Sequence, residues 1–285
     1  MKIKITADST CDLSPELVER YNISIMPLFV ALGTDNFVDG VTIKPQAIYD
    51  YYRDNKKLPK SGARSAVEYE NFFRDILNEG YDAIVHFNIS ADMSASYSNA
   101  VVASEKLKNV YVVDSRSLST GIGLLVLDAC DMVQKGMDAK SIVKRVSSRT
   151  GAVQASFVID SLEFLYKGGR CSSLSYFGAN LLRIRPCIAV KDGKMGVWKK
   201  LQGRYSHCVD KYAEEVRNTF TTPDKKRCFV THTQMEPGVA WKLVETVKSW
   251  GIFDEVLETT AGCTVTTHCG ANTIGILFIN DGGID

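Results

Sequence analysis

No apolar run in this sequence approaches the roughly 18 residues that a membrane-spanning helix requires, so stable insertion into a bilayer is not expected. The opening MKIKITADST alternates polar and apolar residues and lacks the apolar block of roughly 7–15 residues that marks a secretory signal. A cytoplasmic location is the expectation that follows. Charge of one sign is missing as well: 34 basic and 33 acidic side chains mix along the chain to a net +1, which argues against a nucleic-acid or anionic-membrane partner. Histidine is scarce, at four, and the eight cysteines (11, 130, 171, 187, 208, 228, 263 and 269) contain no C-x2-C pair, so neither a zinc finger nor a redox motif is supported. Reduced, mostly buried thiols are expected, with Cys263 and Cys269 the pair closest to a candidate site. Enzyme signatures are also lacking. There is no G-x-S-x-G elbow, no G-x-x-x-x-G-K-[ST] phosphate loop and no H-E-x-x-H pair. TGIGLL, residues 120–125, lacks the third glycine of a dinucleotide fingerprint and lies inside an apolar helical pattern, so it reads as close helix packing. His86 alternates with apolar neighbours like a strand residue, and His207 and His232 have no acidic or cysteine partner at ligand spacing beyond the adjacent Cys208. No metal site is expected.

What is present is ample material for a core. A chain of 285 residues with 45% apolar and 24% charged side chains exceeds the usual size of one domain and predicts two. Through residue 136 strand-like and helix-like segments alternate. KIKITADS is a strand; SPELVERY opens a helix with Ser14 as N-cap and Pro15 at the first position. ISIMPLFVAL is a strand or strand pair, and KPQAIYDYYRD and AVEYENFFRDILNEG are helices, the second stopping at Gly80. DAIVHFNIS, the helical SASYSNAVVASEKLKN, NVYVVDS and a long apolar helix ending at Gly136 follow. That alternation predicts an α/β unit with a mainly parallel sheet. Beyond about residue 150 the rhythm changes to VQASFVIDSLEFL, a hairpin turning at Asp192-Gly193, CFVTHTQM, a helix from about Pro237 to Trp250, EVLETTAGCTVTTH and TIGILFIN, a mixed-sheet region. The expected division is 1–155 and 156–285.

Three polar turns attract chemical interest. PKSGARSAVEY places Ser61 and Ser65 just before a helix, SADMSASYSNA opens a helix with Ser94 and Ser96, and TTHCGANTIG sets His268 between two apolar runs. Unpaired N–H groups and the helix dipole favour an anion at helix N-termini, so serines at two such ends and one imidazole could clamp a carboxylate or phosphate. The same serines serve equally as ordinary caps, and the histidine as a ligand, a base or a loop residue.

Taken in order, these segments resemble the DegV family, bacterial fatty-acid-binding proteins that include the lipid-carrying subunits of fatty acid kinase. ITADSTCDL is similar to the family's TDSTADL, and MPLFVALGTDNFVDG to its PL-hydrophobic stretch ending in Asp-Gly, here Asp39-Gly40. KSGARS stands where the family has T-S-Q-P-S, MSASYSNA where it has L-S-G-T-Y-x-x-A, and VYVVDS where a strand ends in Asp-Ser. SLEFLYKGGRCS resembles L-x-x-L-x-x-G-G-R-I-S, LLRIRPCIAVKDGKM resembles L-L-x-I-K-P-hydrophobic-x-x-x-G, and GCTVTTHCGANTIG resembles G-P-x-x-G-T-H-x-G-P-G-x-x-G. The resemblance implies an N-terminal three-layer α/β/α domain with a mainly parallel sheet and a C-terminal two-layer α/β domain with a mixed sheet. It implies an acyl chain in an apolar tunnel between them, its carboxylate held by Ser61, Ser94 and His268, with Gly62, Ala95, Ser96 and Thr267 as neighbouring loop residues. Arg170 of the Gly-Gly-Arg element becomes a contact for an ATP-dependent fatty acid kinase subunit or for the phosphate it adds. That partner would supply nucleotide and metal, so this chain needs neither a cofactor nor catalytic residues of its own. A rival expectation is an enzyme acting on a small carbonyl or ester substrate through Ser94 and His268. Departures from the pattern carry expectations too. Ala63 and Arg64 should loosen the first loop and add positive charge near the mouth, Ala95 requires a helical backbone, and Asn272 suits a left-handed turn.

Overall fold

The computed structural model describes residues 1–171, 184–236 and 238–283; Ser172, residues 181–183 and Pro237, which the sequence reading used, lie outside them. The chain begins with β1 (Ile3–Asp8), α1 (Pro15–Arg20), β2 (Ser24–Met26), β3 (Phe29–Leu32), β4 (Asp35–Val38), α2 (Pro45–Asn55) and β5 (Lys60–Gly62). It continues through α3 (Ala66–Asn78), β6 (Ala83–Asn88), α4 (Ser96–Ser104), β7 (Val110–Asp114), α5 (Thr120–Gln134) and α6 (Ala139–Arg149). β2, β1, β6 and β7 form a parallel sheet in that order. Successive side chains of a strand point to opposite faces, and β6 shows the consequence. Ala83, Val85 and Phe87 join Ile122, Leu125 and Ile142 of α5 and α6, whereas Ile84 joins Tyr69, Phe73 and Ala100 of α3 and α4. Both faces are covered, which is the three-layer arrangement expected. Local chemistry sets the boundaries: Ser14 caps α1, Ser65 and Glu68 form a reciprocal capping box at α3, and Asp138 caps α6.

The second sheet follows from β8 (Val153–Ile159), α7 (Glu163–Lys167), β9 (Ile184–Lys191), β10 (Lys194–Gln202), α8 (Tyr205–Thr219), β11 (Arg227–His232), α9 (Val239–Ser249), β12 (Glu255–Thr260), α10 (Cys263–Cys269) and β13 (Thr273–Ile279). Its order is β10-β9-β8-β13-β11-β12, antiparallel except for the parallel β11–β12 pair. The β9–β10 turn has positive φ at both Asp192 and Gly193, as a two-residue hairpin prefers. α8 and α9 cover one face through Val209, Tyr212, Leu243 and Val247. The other face meets α5, because Val153, Ala155, Phe229 and Leu277 share a core with Ile122 and Leu125.

α5 is therefore buried between two sheets, and its glycines are fitted to that position. A Cβ on Gly123 would come within 2.8 Å of Leu13 Cδ2 and 3.1 Å of the Cys11 carbonyl; one on Gly121 would strike the Ser117 hydroxyl. Close packing, as read from TGIGLL, is what these residues do. Four described helices, α6, α7, α8 and α10, escaped the sequence reading. α6 and α8 are amphipathic, and α8 buries Cys208, Val209, Tyr212, Ala213 and Val216 at helical spacing. None of the eight cysteines forms a disulfide, and all are buried. No helix among the described residues is long and apolar enough to cross a membrane.

Candidate functional site

His268 lies on a helix, not in the loop that TTHCGANTIG suggested. α10 is seven residues long and rich in β-branched side chains, which are poor helix formers. Distant carboxylates hold its start: Asp39 accepts from the N–H groups of Cys263 (2.8 Å) and Thr264 (3.1 Å), and Asp12 accepts from Gly262 N–H (2.8 Å) and the Ser119 hydroxyl (2.6 Å). The acid residues of the CDL and VDG segments thus fix the helix that carries the histidine. Burial pushes the Asp12 carboxyl up to about 8 against the hydrogen bonds from Ser119 and Gly262. The helix ends at Gly270, whose φ of +70 with ψ −172 is backbone that only glycine adopts readily, and where a Cβ would stand 2.8 Å from Phe164 Cδ2. Asn272 has φ +54, so the expected left-handed asparagine is there.

Opposite α10, the small sheet β4-β3-β5 brings Ser61 into place by pairing it with Val30. Ser61 is thus a strand residue rather than one just before a helix. Its Oγ lies 2.8 Å from His268 Nε2, one of the two donating to the other across 207 positions of sequence. Burial first, then the neighbouring positive charge of Arg170, holds the imidazole down at about 4, so it is neutral near pH 7. Its Nδ1 has no hydrogen-bond partner among the described residues and faces Gly168, where a Cβ would stand only 2.6 Å from it. The two glycines before Arg170 have separate causes. Gly168 has an ordinary φ of −69 and is needed for space, whereas Gly169 sits at φ +69 with nothing within 4 Å and is needed for the turn. That turn folds the exposed Arg170 back so that Nη1 donates to the Gly168 carbonyl at 2.7 Å.

The third polar group, Ser94, enters from the turn just before α4. Ser94 Oγ and Ser96 Oγ are 2.9 Å apart, and Ser94 Oγ accepts from Ser96 N–H at 3.2 Å. Ala95 has φ −72 and ψ −1, the helical backbone its methyl requires. Buried Asp8 holds the preceding loop by accepting from Ile89 N–H (2.9 Å), and Ser90 Oγ ties it to the hairpin by donating to the Gly193 carbonyl (2.7 Å).

These elements enclose a cavity of about 230 Å³. Ser61, Gly62, Ser94, Ala95, Arg170 and His268 all line it, so the structure brings together six of the eight residues singled out from sequence. Ser96 and Thr267 are not among its walls: Ser96 is buried behind Ser94, and Thr267 is buried on α10. The rest of the wall is largely apolar, with Leu28, Ile89 and Met93 from the first half and Met195, Val265 and Cys269 from the second. Burial raises the Cys269 thiol to about 12, which keeps it protonated. Thr264 also lines the cavity and was missed. It precedes His268 by four residues, a spacing that puts it on the same face once the segment is known to be helical.

Arg64 does not behave as expected. Its guanidinium donates to the Pro27 carbonyl (2.5 Å) and to Glu68 (2.8 Å) and stacks 3.6 Å from the Phe29 ring centroid, so it braces the first loop instead of loosening it. It is absent from the cavity wall. The Ser94–His268 pair of the enzyme reading is not formed: the imidazole bonds Ser61, Ser94 bonds Ser96, and no carboxylate among the described residues orients Nδ1. Among the described residues no cluster of three His, Cys, Asp or Glu side chains could hold a metal.

Fold and site together define a mixed α/β protein with a cavity walled by both halves of the chain and a small set of hydroxyl and imidazole groups within it. Comparison with known proteins agrees. Residues 2–281 match the family described as an uncharacterised protein, DegV family, and the chain belongs to it. A fatty acid-binding protein of Thermotoga maritima is 30% identical over 281 residues, 96% of each chain. A DegV domain-containing protein of Clostridium perfringens is 28% identical over 284 residues, 98% of this chain and 99% of that one. Among solved structures, a DegV lipid binding protein of Thermotoga maritima superposes with a TM-score of 0.86 at 26% identity over 98% of each chain. A fatty-acid-binding DegV family protein of Thermus thermophilus reaches 0.90 at 24% identity, over 98% of this chain and 100% of that one, a likeness of fold.

Proposed function

We propose that this chain binds a long-chain fatty acid in the cavity between its two halves, with the carboxylate at Ser61, Ser94 and His268. The observation that carries the reading is the Ser61–His268 pair, set beside Ser94 in a cavity otherwise walled mainly by apolar side chains. Hydroxyls and a neutral imidazole can donate to a carboxylate, and Arg170 adds a favourable field without a buried countercharge. The apolar wall rewards a tail at roughly 0.8 kcal/mol per methylene, which offsets the desolvation of one anionic end. Fatty-acid and lipid binding by the relatives named above supports the same ligand.

In this reading the protein is a carrier and not itself the catalyst. It works in the cytoplasm and presents the carboxylate to an ATP-dependent fatty acid kinase subunit, with Arg170 at the exposed edge of the site as the contact for that subunit or for the phosphate. The test has two arms. Native mass spectrometry and lipid extraction of protein purified without added ligand should find an acyl chain. Titration with a long-chain acid should show Ser94→Ala and His268→Ala weakened roughly 10–100-fold, the scale of a lost hydrogen bond to a charged group. Unchanged affinity in both folded variants removes these residues from the site, and no binding of any long-chain acid removes the function.

A further inference from the structure

α10 carries a second cavity-lining side chain that a plain fatty acid leaves unused. Thr264 and His268 are four residues apart and share one face of the helix, about 6 Å apart along its axis. Both line the cavity. Thr264 is 6% exposed and its Oγ1 has no hydrogen-bond partner among the described residues. Its backbone is fixed, since its N–H donates to Asp39 Oδ2 at 3.1 Å, yet a single χ1 step exchanges its methyl and hydroxyl. Of the other threonines on the helix, Thr266 donates its hydroxyl to the Ala261 carbonyl at 3.4 Å, and Thr267, whose hydroxyl also has no partner among the described residues, does not line the cavity. A buried hydroxyl without a partner is costly and calls for an explanation. An unsubstituted acyl chain gives Thr264 nothing to bond, and valine would fill the same space without that cost.

Resting on the assignment of the carboxylate to Ser61, Ser94 and His268, we propose that the acid this protein binds carries a hydroxyl near its carboxyl end, and that Thr264 Oγ1 bonds it. An extended chain advances about 1.2 Å per bond, judged from the span of extended backbone, so the step along α10 corresponds to about five bonds. The reach of the two side chains brings substituents on roughly the second to fifth carbons into range, a window that includes the 3-hydroxy acids. A threonine hydroxyl both donates and accepts, so it pairs with an alcohol in either sense.

The experiment titrates the unsubstituted protein, Thr264→Val and Thr264→Ser with hexadecanoate and with 3-hydroxyhexadecanoate. Thr264→Val should lose about tenfold in affinity for the hydroxy acid while binding hexadecanoate within about threefold of the unsubstituted protein, and Thr264→Ser should retain the response to the hydroxyl. Equal loss for both acids makes Thr264 a carboxylate contact and overturns the proposal. No change for either acid, or exclusion of the hydroxy acid by a protein that binds hexadecanoate, overturns it as well while leaving the fatty-acid reading intact. Failure of the unsubstituted protein to bind either acid sinks both. If Thr264→Val does not fold, Thr264→Ala set against Thr264→Ser makes the same comparison.

Discussion

Replacing Gly168 with alanine adds one methyl group where the imidazole comes closest to the chain. That methyl would stand 2.6 Å from His268 Nδ1 and 2.8 Å from the Phe164 carbonyl, whereas ordinary contact begins near 3.4 Å, so the ring must retreat by about 0.8 Å or the end of α7 must open. Neither is easy. The Phe164 carbonyl already accepts from Gly168 N–H at 2.9 Å, and the ring is held by Ser61 at 2.8 Å, a distance that a displacement of that size compresses or breaks. Overpacking of this kind costs about 1–3 kcal/mol, or roughly 5–150-fold if it falls on binding. The control is Gly169→Ala, where φ is +69 but no atom lies within 4 Å. There the cost is backbone strain of about 1–2 kcal/mol in folding, with acid affinity nearly unchanged. Isothermal titration with a long-chain acid, alongside thermal unfolding, separates the two. A double-mutant cycle sharpens the result: in a His268→Ala background the ring contact is gone, so Gly168→Ala should couple to it by at least about 0.5 kcal/mol. Wild-type affinity in Gly168→Ala, or a greater affinity loss in Gly169→Ala, would refute the claim that this glycine seats the imidazole.

Arg170→Ala should retain bound acid yet slow ATP-dependent acyl-phosphate formation with a cognate kinase subunit, because a guanidinium pairs two phosphate oxygens and stays charged; unchanged turnover would leave it a structural residue. Acidification should destabilise the unliganded protein through His268. Its folded value of about 4 lies below the ordinary 6.5, so the unfolded chain takes the proton first and stability falls as pH drops from 6.5 toward 4. Between pH 7 and 5 this amounts to about 1–2 kcal/mol that His268→Gln should lack. Chemical denaturation of both proteins at the two pH values measures it, and parallel losses would contradict the assignment. Buried His86, held down to about 3 by burial, acts in the same direction in both proteins and cancels in the difference.

The sequence by itself determined what neighbours in the chain decide. Alternating strand and helix patterns gave the parallel sheet; Ser14, Ser65, Gly80 and Gly136 marked helix ends, and Asp192-Gly193 the hairpin, since caps and turns are set by backbone groups a few residues away. The serines and histidine were visible as chemistry, and the resemblance to a family said which to put together. Tertiary structure alone decided that TTHC is helical. Four consecutive β-branched residues before His268 speak against a helix, and the carboxylates that hold its start, Asp12 and Asp39, lie more than 220 positions earlier. With the helix came the alignment of Thr264 and His268, and with the strand pairing of β3 and β5 came the Ser61 contact across 207 residues. Whether a glycine is needed for its φ, as at Gly169, or for the space beside a ring, as at Gly168, is equally invisible in a one-dimensional reading, because the ring that fills the space is delivered by a segment a hundred residues away.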